Sequence, residues 1–340
     1  MKTEFRTLYL KKRFPLRISR GEIAGGENLF VSVTDGTHAG WGEMAPGPTE
    51  GADTAAEGQR MLEAFGAPDV SIHKTWAAMH AAGVAPCAMA ALDMALWDLR
   101  AKQAGMPLYR LLGLAREAVV SSVTVGINPP EVVRERVPLL LDRGARALKI
   151  KLGSPEGIEA DKAMFAAVVE TARGATLRVD ANGGWSLADA RHMMGWLAER
   201  GVEYVEQPLV RGAEDQLPEL FRDRALPIFL DESCRMSQDV PGFADCVDGV
   251  NLKLMKCGGI TEALRIVATA RAFGLKTMIG CMGESSVAIA AGASLGALFD
   301  YIDLDSHLNL DPDPATGAPF EGGVTLPEDR PGHGGRPRDA

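Results

Sequence analysis

Five short apolar runs between residues 147 and 254 each end on charged side chains. They recur at about 25 residues, the length of one strand, one helix and two loops. The charged residues are Lys149 and Lys151 in LKIKLG, Asp180 in LRVDANGGW, Glu206 in YVEQP, Asp231 in IFLDES and Lys253 in VNLKLMKCGG. The candidate strands around them are VVSSVTV (119–125), ALKIKL (147–152), TLRVDA (176–181), EYVEQ (203–207), PIFLDE (227–232), GVNLKL (249–254), KTMIGC (276–281) and YIDLD (301–305). Helical stretches such as PPEVVRERVPLLLDRG, SLADARHMMGWLAERG and TEALRIVATARAFG lie between them, and several end in Gly, as helices often do. This alternation predicts an α/β fold, a (β/α)8-type (TIM-like) barrel whose C-terminal strand ends form one rim. A doubly wound open sheet is the structural alternative, disfavoured because no GxGxxG follows the first strand.

Residues 1–115 have a different texture. FRTLYL reads as a strand, NLFVSVTD with GTHAGWGEMAP as a hairpin, and GADTAAEGQRMLEAFG and APCAMAALDMALWDLRAKQAG as helices. Strands first and helices second predict a compact α+β unit. The expected division is therefore 1–115 for that unit, 116–310 for the barrel, and 311–340 for a segment returning to the first unit. RPGHGGRPRDA is expected to be a flexible tail.

Composition excludes several classes of function. A net charge of −9 and a pI near 5.3 argue against a nucleic-acid binder, which usually shows a basic face. No uncharged apolar stretch approaches a membrane span. The opening MKTEFRTLYLKKRF is charged throughout, unlike a signal peptide, so a cytoplasmic location is expected. The five cysteines, Cys87, Cys234, Cys246, Cys257 and Cys281, are odd in number with no CxxC pair, and read as packing residues. Nothing in the chain specifies an oligomer number, and a homo-oligomer stays open.

Lys149 and Lys151 are two apart on a strand and so share a face. Taken alone, KxK reads as two solvated lysines. Two ammonium groups held side by side would instead make one of them easier to deprotonate, which is how a lysine becomes a base near neutrality. Asp180, Glu206 and Asp231 tip the balance, because helix caps or solvated loop acids would not recur at strand ends. Three carboxylates on successive strands offer hard oxygen donors suited to Mg²⁺. Lys253 ends the strand opposite that of Lys151 across a barrel. Lys256, in the following loop, is expected to be an ordinary solvated lysine.

Together these motifs, KxK, DAN, EQP, DES and KxxKxGG, resemble the enolase superfamily, and within it the muconate lactonizing enzyme subgroup and its dipeptide epimerases of the L-Ala-D/L-Glu type. The resemblance spans nearly the whole chain and makes residues 1–115 a capping domain. It implies that Asp180, Glu206 and Asp231 bind Mg²⁺, which holds a substrate carboxylate and stabilises an enediolate. It implies that Lys151 and Lys253 are acid/base catalysts on opposite faces of the α-carbon, with Lys149 tuning Lys151. GCMGESS (280–286), carrying Cys281, Met282, Gly283 and Glu284, and YIDLDS, carrying Asp303 and Asp305, resemble substrate-binding segments of dipeptide epimerases. There the aspartate pair takes the dipeptide ammonium, a charge-assisted contact. The cap is expected to place a mobile lid loop near residues 15–28 over the barrel. From that loop Arg20 or Arg17 would meet an acidic substrate side chain.

The resemblance implies a cytoplasmic, Mg²⁺-dependent isomerase. It would invert the C-terminal residue of a dipeptide, L-Ala-D/L-Glu from murein peptide first. N-succinylamino acid racemase and o-succinylbenzoate synthase, a lyase, are the alternatives within the superfamily. A non-catalytic metal-binding barrel is the alternative from another class.

Overall fold

The computed structural model describes residues 1–339. The N-terminal unit is a three-stranded antiparallel sheet, β1 (Lys2–Ile18), β2 (Gly21–Thr34) and β3 (Ala39–Met44), followed by helices α1 (Ala55–Phe65), α2 (Ile72–Ala81), α3 (Pro86–Gln103) and the short α4 (Leu108–Leu111). Alternating residues of β1 meet solvent, whereas Leu29, Phe30, Val31 and Val33 of β2 are buried on both faces. Helix α3 starts at Pro86, which fixes a helical φ and needs no N–H partner at that position. Its apolar residues surround the helix on all sides, so it is buried all round between the sheet and the barrel. β3 packs directly on α3, and a Cβ on Gly42 would overlap the Ala91 carbonyl oxygen. Gly42→Ala is therefore expected to lower stability by about 1–3 kcal/mol, measured by thermal or denaturant unfolding.

The barrel strands are β4 (Ser122–Val125), β5 (Ala147–Lys151), β6 (Thr176–Asp180), β7 (Val202–Glu206), β8 (Ile228–Leu230), β9 (Gly249–Lys253), β10 (Lys276–Gly280) and β11 (Tyr301–Asp303). They pair in parallel in sequence order, and a bridge between Ser121 and Ile302 joins the last strand to the first. Helices α5 (Pro130–Asp142), α6 (Ile158–Thr171), α7 (Leu187–Ala198), α8 (Leu217–Arg222), α9 (Leu254–Cys257), α10 (Ile260–Ala272) and α11 (Ser286–Ala293) cover the outside. The regular repeat lapses twice: a 3₁₀ turn, Val240–Phe243, replaces the helix after β8, and another, Ser306–Asn309, follows β11. The fold is a TIM-like barrel with an N-terminal antiparallel cap, as expected. At the end opposite the charged rim, Tyr204, Phe229 and Tyr301 pack ring against ring, with the Arg178 guanidinium over two of them.

Two expectations change. The segment near residues 15–28 is part of a paired hairpin and not a free loop: Leu16 pairs with Ile23 and Ile18 with Gly21, Ser19 and Arg20 form the turn, and the register shifts once, between Lys11 and Leu16. Its tip is tied to the barrel by Ile127 N–H donating to Arg17 O at 2.8 Å. The segment 330–339 is packed and not a loose tail. His333 is fully buried, its N–H donating to Asp98 at 2.8 Å, and Gly332 exchanges backbone hydrogen bonds with Met106 and Leu108 of the cap. No helix among the described residues is long and apolar enough to cross a membrane.

Candidate active site

Lys151, Asp180, Glu206 and Lys253 end their strands, Asp231 immediately follows its own, and Lys149 lies two residues before the end of β5 on the same face as Lys151. Lys149 is fully buried, with Nζ at 2.6 Å from Asp303 Oδ2, 2.7 Å from Glu206 Oε2 and 3.6 Å from Asp180 Oδ2. Lys151 Nζ lies 2.6 Å from Asp180 Oδ2. Lys253 Nζ lies 2.9 Å from Asp231 Oδ2. Lys151 and Lys253 therefore stand on strands β5 and β9, separated by three strands in either direction around the barrel, each against one carboxylate of the same cluster.

The electrostatics follow from burying these lysines and carboxylates together. Burial pushes the Glu206 carboxyl up, and the Asp180 charge adds to it, to about 7. Burial also opposes ionisation of Asp180 and Asp231, but the lysines outweigh it and hold both below the ordinary carboxylate value. For Lys149, burial lowers the pKa and Asp303, Glu206 and Asp180 more than offset it, so it stays an ammonium. Its position bridging three carboxylates makes it a counter-ion of the cluster, a closer tie than the lysine–lysine repulsion inferred from KxK alone.

Glu206 Oε2 and both Asp231 carboxylate oxygens are buried at ion-pair distance from ammonium nitrogens, yet accept no well-angled hydrogen bond. Among the described residues no three such donors surround a single point at ligating distance, because Lys149 bridges Asp180 and Glu206 and Lys253 closes on Asp231. The donor set itself fits a hard divalent cation: carboxylate oxygens only, buried, with uncommitted lone pairs and mutual repulsion to relieve.

Loop chemistry fixes this rim. Gly153 has φ +77°, and a side chain there would strike the Ala181 carbonyl, so the loops after β5 and β6 touch. Asn182, at φ 44°, donates its N–H to Asp180 Oδ1 at 2.8 Å and its side-chain amide to Asp180 Oδ2 at 3.1 Å. Gln207 Oε1 accepts from Asp231 N–H at 3.0 Å. These turn residues orient the carboxylates that they accompany.

The other anticipated residues divide. Asp303 holds Lys149, while its Oδ1 has no hydrogen-bond partner. Asp305 accepts from Thr124 N–H at 2.6 Å, and burial together with Asp303 raises it to about 6. Cys281 Sγ is 3.8 Å from Asp305 Oδ1, and Met282 Sδ is 3.9 Å from Lys253 Nζ, so the segment after β10 runs between the two. Glu284 turns back to Met282 N–H at 2.8 Å, and burial raises its carboxyl to about 8. Gly283 O accepts from the cap residue Asn28 at 2.8 Å. Arg20 donates to Glu232 Oε1 at 2.7 Å and to Asn182 O at 3.1 Å. Arg17 pairs with Glu156 at 2.5 Å on the outer rim, away from the carboxylate cluster.

Several residues went unread in the sequence. Lys256 is buried, not solvated: it contacts the Asp231 carboxylate and donates to Asn251 O at 3.0 Å. Asn251, two before Lys253 and so on the same strand face, donates to Glu206 Oε1 at 2.7 Å. That i, i+2 spacing was the available signal. Glu43 of β3 is fully buried and accepts from Ser285 and Ala288 of the loop and helix after β10, a long-range contact with no local signature.

The family models match in the same two parts. Residues 2–113 match the mandelate racemase/muconate lactonizing enzyme N-terminal domain, and residues 132–340 the enolase C-terminal domain-like model. The chain belongs to this family of the enolase superfamily. It is 80% identical over 339 residues, 98% of each chain, to a protein of Roseobacter litoralis named hydrophobic dipeptide epimerase. A protein of a Flavobacteria bacterium bearing the same name is 59% identical over 340 residues, 98% of this chain and 97% of that one. Among solved structures, a dipeptide epimerase from Enterococcus faecalis complexed with Mg and the dipeptide L-Leu-L-Tyr superposes with a TM-score of 0.92, at 34% identity and 98% coverage of both chains.

Proposed function

We propose that the enzyme is a dipeptide epimerase, an isomerase that inverts the α-carbon of a dipeptide's C-terminal residue by 1,1-proton transfer. The observation that carries this reading is the pair Lys151 and Lys253, placed on opposite sides of one carboxylate cluster. In each direction one lysine, as the free amine, takes the α-proton from one face. The other, as ammonium, delivers a proton to the opposite face, so one proton enters for each that leaves. Asp180, Glu206 and Asp231 are the residues that would hold Mg²⁺. When bound, the ion supplies positive charge for the substrate carboxylate as the α-proton departs. Lys149 keeps the cluster compensated, and Asp303 Oδ1 and Asp305 receive the dipeptide ammonium.

The side-chain preference follows from charge. Both lid arginines are already committed, Arg17 to Glu156 and Arg20 to Glu232. This supports hydrophobic dipeptides as the preferred substrates, in line with the names borne by the two relatives, over an acidic pair such as L-Ala-D/L-Glu. Comparing kcat/KM across L-Ala-L-Leu, L-Leu-L-Tyr and L-Ala-L-Glu tests it; a clear preference for the glutamyl dipeptide would reverse the assignment. We place the enzyme in the cytoplasm, since its five cysteines are all free.

An N-acylated amino acid has no ammonium for Asp305 to meet. Asp305→Asn is therefore expected to lower kcat/KM for a free dipeptide by about 30- to several thousand-fold, the range for losing a buried charged partner. It should have little effect on turnover of an N-succinyl amino acid. Equal loss on both would remove Asp305 from ammonium recognition. Asp303 is the poorer test, because it also holds Lys149.

A further inference from the structure

Beside the carboxylate cluster, a cleft of about 500 Å³ opens between the hairpin tip and the loops after β5, β6, β7 and β8. Its lining carries four cations, Arg20, Arg211, Arg235 and Lys256, and a single carboxylate, Glu232. Lys256 is occupied by Asp231. Arg20 reaches in from the hairpin turn, and its guanidinium lies 2.7 Å from Glu232 Oε1. The Glu232 side chain is 11% exposed against 46% for Arg20, so the carboxylate forms the wall and the arginine closes over it. Asn182 Nδ2 adds a donor to the same oxygen at 3.2 Å, whereas buried Glu232 Oε2 has no hydrogen-bond partner.

We propose that Glu232 is a specificity-determining residue: it neutralises the lid's Arg20 and so lowers the cleft's preference for acidic side chains, leaving Arg211 and Arg235 as its other cations. This inference rests on the dipeptide epimerase reading. An acidic side chain approaching Arg20 must either displace Glu232 or lie beside its charge, and both are unfavourable. A neutral side chain leaves the pair intact. Without the Glu232 charge, Arg20 becomes a planar donor fork suited to a carboxylate. A pair that served only to latch the hairpin would alter turnover of every dipeptide alike.

Glu232→Gln keeps the size and the Asn182 contact and removes the charge. It is expected to raise the ratio of kcat/KM for L-Ala-L-Glu over L-Ala-L-Leu by about tenfold or more, chiefly through KM. Arg20→Met added to Glu232→Gln should abolish the gain, and Glu232→Asp should keep the native ratio. Calorimetric binding of the same two dipeptides to each variant provides the ratio independently of turnover. An unchanged ratio, or a gain that survives loss of Arg20, would overturn the proposal. If the native enzyme epimerised neither dipeptide, the functional reading would fall, and the calorimetric ratio would still decide whether Glu232 sets the charge selectivity of the cleft.

Discussion

Lys151→Ala and Lys253→Ala are each expected to eliminate net epimerisation, with loss of at least about 100- to 10,000-fold, the contribution of a positioned acid or base. The two variants should differ in what survives. With one lysine gone, the other still faces its own side of the α-carbon. Each variant should then exchange the α-hydrogen of one substrate epimer with solvent and leave the other untouched, and the two variants should choose opposite epimers. The geometry motivates this asymmetry: the lysines stand on β5 and β9, paired with Asp180 and Asp231 respectively. Retention of native exchange for both epimers in both variants would show that the lysines are not the two proton carriers.

Asp180→Asn, Glu206→Gln and Asp231→Asn form the second large-effect set. Each is expected to abolish turnover, and chelation by EDTA should inactivate the native enzyme until Mg²⁺ is restored. The three should differ in stability. Asp231 is the counter-ion of both Lys253 and Lys256, so its neutralisation leaves two buried ammonium groups short of a partner, at about 3–5 kcal/mol. Glu206 sits among other acids, and Glu206→Gln relieves part of that repulsion. Denaturant midpoints would rank Asp231→Asn as the least stable of the three. Full activity after exhaustive chelation would remove the metal from the account.

The barrel was legible because its signal is periodic. A strand buried on both faces is a short apolar run, and the loop that follows needs turn residues, so LRVDANGG and IFLDES announce their boundaries locally. Observed strands match the expected ones to within a residue or two in most cases; β4, β8 and β11 are shorter than their apolar runs. The charged ends were legible for the same reason. What escaped depends on partners far along the chain. Lys256 looked like a loop lysine, but it sits in α9, a single turn that folds back from β9 and carries the side chain under Asp231. The glycine-rich stretch near residues 21–26 suggested a loose loop, yet cross-strand pairing with β1 makes it a hairpin. RPGHGGRPRDA has the composition of a free tail, and contacts distant in sequence order it, among them those of buried His333 with Asp98 and Trp41 and of Gly332 with Met106 and Leu108. Arg20 was read as a free cation because its carboxylate partner lies in the loop after β8, 212 residues away.

The central claim is that one carboxylate cluster flanked by two lysines exchanges and inverts the α-carbon of a dipeptide's C-terminal residue. Incubating the enzyme with Mg²⁺ and L-Ala-L-Leu in heavy water, then separating the diastereomers by chromatography with mass detection, tests it most directly. The account predicts a single deuterium in the C-terminal residue, appearance of L-Ala-D-Leu carrying that deuterium, and loss of inversion in both lysine variants. Inversion without deuterium uptake, label in the N-terminal residue, or turnover of N-succinyl amino acids in preference to every dipeptide tried would contradict it.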